Sequence, residues 1–196
     1  MKTGLFWFLH RLLVGLFWCL WLGVAAFVFQ HRAALEPAVD MARLWWHRTP
    51  EARQPIGELS GRVVRIHTGS SVQVRDDRGW LFNYGLAGVE APRAGPNASP
   101  KEQTEAKAAA DALGRWVLGT NVVIAVTLAN PQTRTGLGLV RTAQTNVNEA
   151  MLGEGHGRFA PGQIRGLPLK DQYRLQRAER YARERRLGVW NGRDPT

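Results

Sequence analysis

Glu58–Leu86 reads ELSGRVVRIHTGSSVQVRDDRGWLFNYGL, and its pattern predicts three short strands joined by tight turns. Glu58–His67 is β-branched in its second half, Thr68-Gly69-Ser70 supplies turn residues, and Ser71–Arg75 alternates with period two. Asp76-Asp77-Arg78-Gly79 is a second turn, after which Trp80, Phe82 and Tyr84 share one face of the strand Trp80–Leu86. Alternating aromatics of this kind can stack nucleic-acid bases. Burial in a core is the commoner use of the pattern, and it is the one expected here.

Outward from this meander the punctuation stays clear. Ser99 stands three residues before Glu102, a capping box, with Pro100 at the first helical position. Ala106, Ala109, Ala110, Leu113, Trp116 and Val117 then form one apolar stripe, and Gly119 closes the helix. Asn121–Leu128 and Gly136–Thr142 read as two further strands, and Asn148–Gly153 as a short helix. Gly155–Gly166 is glycine-rich and expected to be a loop with one extended turn; Pro168–Arg186 reads as the last helix, ending at Gly188. Five short strands with a helix inserted after the third fit a small closed barrel of the oligonucleotide/oligosaccharide-binding type, or a split sheet. Val72, Val74, Leu86, Val89, Trp116, Val122, Ile124 and Leu139 are the expected core.

Toward the N-terminus the chemistry changes. Leu12–Phe29 (LLVGLFWCLWLGVAAFVF) is eighteen residues without a charge. A helix needs roughly 17–25 apolar residues to cross the hydrocarbon core, and Arg11 is placed to snorkel to the headgroups. A cleaved signal peptide would also carry Lys2 and Arg11 ahead of an apolar run, but its apolar region is usually only about 7–15 residues. Residues 1–30 are therefore expected to anchor the chain, 31–56 to form a juxtamembrane stalk, 57–191 the domain, and 192–196 a tail. Within the stalk, Pro37 is expected to interrupt, with a short helix over Ala38–Arg48 ending in Trp45-Trp46 beside the interface or packed on the domain. Basic residues flanking the apolar run slightly favour an inside N-terminus and an extracytoplasmic domain.

The single cysteine, Cys19, lies in the apolar run, which leaves the rest of this sequence without a disulfide framework or a thiolate metal site. No phosphate loop or HExxH motif is present, and His67 and His156 stand alone. Net charge is +10, and from Gly57 onward twenty Lys and Arg face thirteen Asp and Glu. That balance suits nucleic acid, anionic lipid or an acidic protein as partner.

Four stretches carry more specific information: the turn within Val63–Val74, LAGVEAP at Leu86–Pro92, NVNEAMLGEGHG at Asn146–Gly157, and RRLGVW at the end of Ala178–Trp190. In this order and spacing they resemble the staphylococcal nuclease (thermonuclease-like) domain over about Gly57–Asn191. The resemblance implies a five-stranded OB-type barrel capped by about three helices, here preceded by one transmembrane helix. In active members it implies calcium-dependent phosphodiester cleavage.

Carried over residue by residue, the resemblance predicts a degenerate site. The calcium-binding aspartate falls on Ser70, a phosphate-binding arginine on Gly85, and the second calcium carboxylate on Glu90. The carboxylate that orients the attacking water falls on Arg93, and a second phosphate arginine on Leu137. Only Glu90 keeps its chemical character. A hard cation needs several oxygen ligands, and one lost electrostatic donor typically lowers a rate by about 10²–10³, so no cofactor is expected. Calcium enters only if activity survives, in a site rearranged around Glu90, Arg93 and Arg134. The leading reading is thus a membrane-tethered, nuclease-like domain that no longer cleaves and serves as a binding or assembly module; the rearranged nuclease is its rival, and a third reading is a structural subunit of a membrane complex.

Arg134, Arg141, Arg174 and Arg177 are candidate anion-binding residues. Arg174, Arg177, Arg180 and Arg183 step by three and therefore wind around a 3.6-residue helix, so a solvated, salt-bridged surface is the plainer reading of that set. Leu175, Ala178 and Ala182 are its expected packing side. Intact-mass measurement of the membrane-extracted protein is expected to find Leu12–Phe29 still present; a mature N-terminus beyond Ala26 would refute the anchor.

Overall fold

The computed structural model describes residues 2–46 and 54–191. Residues 1–43 and 44–196 separate into two compact units.

In the first unit, α1 (Lys2–Gln30) contains Leu13–Gln30, one helical segment long and apolar enough to cross a membrane, with its side chains exposed. At 1.5 Å per residue those eighteen residues span about 27 Å, close to a hydrocarbon core. The helix pauses at His31 and resumes as α2 (Arg32–Trp46). Here the expected break at Pro37 is corrected, because the proline lies inside α2. An exposed proline in the second turn has no N–H and forfeits one helical hydrogen bond, and the amphipathic helix continues through it. Trp45 and Trp46 are exposed; Arg48, the expected end of the stalk helix, lies outside the described residues.

The second unit is a closed barrel. Its strands are β1 (Gly57–Thr68), β2 (Ser71–Arg75), β3 (Leu81–Leu86), β5 (Asn121–Asn130) and β6 (Thr135–Arg141), in the order β1-β2-β3-β6-β5 with β5 returning to β1. All pairings are antiparallel except β3 with β6, which closes the barrel through Asn83–Thr135, Tyr84–Gly136, Gly85–Leu137 and Leu86–Gly138. A second, two-stranded sheet joins β4 (Val89–Glu90) to β7 (Arg158–Phe159). Thus Gly155–Gly166 is more than a loop.

The turns behave as their residues dictate. The Asp76 carboxylate accepts from Arg78 N at 3.0 Å and Trp80 N at 2.7 Å, and Gly79 takes a positive φ. In α3 (Pro100–Val117) both halves of the capping box form, and left-handed Gly119 follows the C-cap. Val72, Val74, Leu86, Val89, Val122, Ile124 and Leu139 are buried together, as expected. Trp116 is the exception: only partly buried, it packs on the outside of that cluster. Ala112 takes the deeper place, because the buried stripe rotates through Ala109, Ala112 and Leu113. Of the aromatic alternation, Tyr84 is core, Phe82 half-buried and Trp80 exposed, a gradient from barrel interior to rim.

The NVNEA segment shows why asparagine stands there. Helix α4 (Val147–Gly153) is capped by Asn146, and its second residue, Asn148, is fully buried. Asn148 Oδ1 accepts from Val140 N at 2.8 Å, while Nδ2 donates to Ala87 O at 2.9 Å and Gly138 O at 3.1 Å. One amide therefore ties α4 to β6 and to the turn leaving β3, beside the parallel closure.

Helix α5 (Leu169–Glu184) ends earlier than Arg186. That residue adopts φ 54°, and Leu187 N reaches back to Ala182 O at 2.9 Å, a Schellman-type closure. Gly188 serves a different purpose: a Cβ there would lie 2.1 Å from Gly155 O, and a Cβ on Gly155 would lie 2.3 Å from Leu187 O. The GEGHG and RRLGVW segments meet backbone to backbone, and Val189 N donates to Gly155 O at 2.9 Å.

Asn148→Ala is expected to destabilise the domain by about 3 kcal/mol, since it strips partners from a buried N–H and buried carbonyls. Asn148→Asp keeps the acceptor for Val140 but turns an oxygen toward two carbonyls, so it should also lose stability. Urea midpoints of the two variants check both statements.

Candidate functional site

The turn between β1 and β2 is pinned by Thr68, whose hydroxyl accepts from Ser70 N at 3.2 Å and bonds to Ser71 Oγ at 2.8 Å. Gly69 has no room for a side chain: a Cβ would meet Ala109 Cβ at 2.4 Å and Ala91 Cβ at 3.0 Å. Ser70 is thereby brought against β3, where its carbonyl accepts from Leu86 N at 2.8 Å. Gly85 faces Ser71 on one side and Leu137 on the other. A Cβ on Gly85 would be 2.7 Å from Leu137 Cδ2, so the leucine side chain lies over the glycine. Ser70, Gly85 and Leu137 form one patch, and its contents are a hydroxyl, a bare backbone and an isobutyl group.

Glu90 and Arg93 belong to an adjoining cavity of about 330 Å³, whose lining also includes Pro92, Glu102, Glu105 and Arg158. The β4–β7 pairing sets Glu90 opposite Arg158. Glu102 is committed to its cap, accepting from Ser99 N and Oγ at 2.8 Å each, and Glu105 lies 3.9 Å from Lys101. Among the described residues no three His, Cys, Asp or Glu side chains are arranged to hold a metal ion. Arg158, Glu102 and Glu105 were not foreseen; only the short β4–β7 pairing, too brief to show as periodicity, brings Arg158 here.

The other candidates are dispersed. Arg134, in left-handed conformation, places its guanidinium 3.9 Å above the Trp80 ring, at the end of β3 remote from Glu90. Arg141 approaches Asp171 at 3.5 Å and so turns toward α5. Arg174 and Arg177 are exposed and line a groove of about 600 Å³ between α4 and α5, together with Glu149, Lys170, Tyr173 and Tyr181. Arg183 instead approaches the Trp190 ring, at 6.0 Å. On the packing side, Leu175 and Ala182 are buried and Ala178 partly so.

Two titratable groups are perturbed by burial. His156, 3.4 Å from Glu154, is pushed below its ordinary pKa by burial and by Arg115, with Glu154 pulling back. Glu179 is pushed above its ordinary value by burial, against the Phe159 amide and Arg183. Its carboxylate accepts from Phe159 N at 2.7 Å, which pins β7 to α5 and steadies the strand carrying Arg158. On a helix expected to be a solvated, salt-bridged surface, Glu179 is the exception: half-buried, it holds the Phe159 amide while also feeling Arg183.

The family described as staphylococcal nuclease homologue matches residues 84–192. The chain is also 33% identical over 143 residues to Staphylococcal nuclease domain-containing protein 1 of Schizosaccharomyces pombe (strain 972 / ATCC 24843). That similarity covers 68% of this chain and 16% of the relative's length. The chain belongs to the staphylococcal nuclease homologue family, and the closed barrel is the fold that membership implies.

Glu179 yields a pH test. A carboxyl whose folded pKa is raised binds more protons in the native than in the unfolded state, from about its ordinary 4.5 up to its raised value. Its contribution is present below that window and lost as pH rises through it. Glu179→Gln keeps an acceptor for Phe159 N without the charge. The variant should gain stability relative to the parent between pH 4.5 and pH 7, read as the difference in urea midpoints; a difference that does not change with pH would contradict it.

Proposed function

We propose that this chain is a membrane-tethered, nuclease-like domain that has lost calcium-dependent phosphodiester cleavage and works as a binding or assembly module. The observation that carries the reading is the Gly85–Leu137 contact. Where the resemblance assigns two phosphate-binding guanidiniums, an isobutyl group lies over a bare glycine, 2.7 Å from where its Cβ would be. Ser70 beside them offers a hydroxyl in place of a calcium-binding carboxylate. Arg93 stands where the water-orienting carboxylate belongs, and its charge opposes that role. Glu90 alone is too few hard ligands for calcium. Loss of metal, base and anion-stabilising donors together removes most of the chemistry of phosphoryl cleavage.

A nuclease rebuilt around Glu90, Arg93 and Arg134 needs those groups in one place. Arg134 stacks on Trp80 before β3, whereas Glu90 follows it, with a six-residue strand of roughly 20 Å between. The tether rests on Leu13–Gln30, which has the length and composition of a membrane span. The basic surface leaves lipid, nucleic acid or an acidic protein as the partner classes. The charge flanking the span favours an extracytoplasmic domain.

The full chain in detergent should show no calcium-stimulated cleavage of single-stranded DNA above a Glu90→Ala control, and no stabilisation by millimolar calcium. Ser70→Asp alone should restore nothing, since catalytic groups acting as a unit are strongly non-additive. Robust calcium-dependent cleavage abolished by Glu90→Ala would sink the reading. Any attempt to regain activity must change Gly85 and Leu137 together, because an arginine at 85 enters the space that Leu137 fills.

A further inference from the structure

We propose that the basic face of α5, with the groove it forms against α4, docks on the phosphodiester headgroups of anionic phospholipid. The inference deepens the tethered-module reading and rests on it. Lys170, Arg174, Arg177 and Tyr181 are spaced by four, three and four residues, which gathers them within roughly 60° of one another on a 3.6-residue helix. This is a different set from the arginines stepping by three. The row is about 16 Å long, and all four residues are exposed. Arg185, just past the helix, extends it by laying its guanidinium over the Tyr181 ring at 4.1 Å from the centroid.

The charge of this face is unspent. The ion pairs Lys101–Glu105, Arg141–Asp171 and His156–Glu154 leave Lys170, Arg174 and Arg177 aside. Two nearby acids are occupied elsewhere, Asp171 with Arg141 and Glu179 with the Phe159 amide, and exposed Glu184 ends the row at its C-terminal side. Glu149 is the acid that lines the groove, against three cations. Its volume of about 600 Å³ is ample for a headgroup.

Lipid is favoured over a nucleic-acid strand for two reasons. Binding of single strands relies on open aromatic faces for base stacking, and here one face of Tyr181 already carries Arg185, just as Trp80 carries Arg134. A row of three cations and a phenol along one helix face meets a planar surface all at once, and a ring with an apolar body and a polar tip suits headgroup depth. Each cation near an anionic surface contributes modestly, but a tethered domain needs little, because its effective concentration at the surface is already high.

The test uses the full chain carrying Cys19→Ser and Gln144→Cys, labelled at the new thiol with a donor fluorophore. It is reconstituted into nanodiscs with acceptor-labelled headgroups. Energy transfer should rise on passing from pure phosphatidylcholine to phosphatidylcholine with 30% phosphatidylglycerol, and fall back in high salt. Lys170→Glu/Arg174→Glu/Arg177→Glu should lower the docked population by about ten-fold or more. Arg174→Lys/Arg177→Lys should preserve the response, as should Arg75→Glu/Arg78→Glu on the β2–β3 side. Absence of a phosphatidylglycerol-dependent rise, or a rise that survives the triple reversal, overturns the proposal. So does binding of a labelled single-stranded oligonucleotide, in chelator, that the triple reversal abolishes while lipid gives no response. Failure of the chain to co-purify with discs of either composition would overturn the tether and this inference with it; co-purification without the response overturns the inference alone.

Discussion

The barrel closes through its weakest seam, a parallel pairing of β3 with β6 only four residues long, and a single buried amide holds that seam in place. Asn148 reaches the carbonyl just beyond β3 and both a carbonyl and an amide of β6, so the two strands are fastened to each other and to α4 at one point. The side chain is well matched to the task. It needs one acceptor and a two-hydrogen donor at the same site, and among side chains of that size only a carboxamide offers both. Buried away from water, those groups would each be costly if left unpaired, so the seam and the helix form together or not at all.

A second constraint is steric. The segment after α4 and the segment after α5 approach so closely that both must be glycine at the contact, Gly155 against Gly188. This contact locks the C-terminal turn, Gly188–Trp190, under the loop that leads to β7. From there Glu179 fixes β7, β7 pairs with β4, and β4 presents Glu90 beside Arg158. The cavity around Glu90 is thus set by a chain of contacts that begins far from it in sequence.

What occupies the barrel face gives the chain its character. Family folds that process phosphodiesters depend on positioning and charge more than on covalent chemistry. In this chain the closed barrel of the family is present, and the patch formed by Ser70, Gly85 and Leu137 carries no charged side chain. Leu137 over Gly85 is a local apolar packing solution that stabilises the strand end. It offers nothing to a phosphate. The unspent positive charge lies instead on α5, on the outside of the fold.

Much of this was written in the sequence. Capping chemistry at Ser99 and Gly119, the turn residues between the first strands, and the eighteen-residue apolar run each act through neighbours a few positions away, so a linear reading finds them. The family-like segments extended that to the barrel. Tertiary structure decided the rest. The bound of α5 moved because Gly188 answers to Gly155 rather than to its own helix, and Trp116 gave way to Ala112 because depth depends on what a stripe meets, not only on its spacing. Arg134, Arg141 and Arg183 scattered to separate partners, since a long side chain chooses among groups that only folding brings near. Glu179, which looks like half of a surface ion pair, became the anchor of β7, and Arg158 joined the Glu90 cavity through a two-residue strand pairing. Local hydrogen bonding and hydrophobic period are properties of consecutive residues; the identity of a charge's partner is a property of three-dimensional proximity, and no spacing along the chain encodes it.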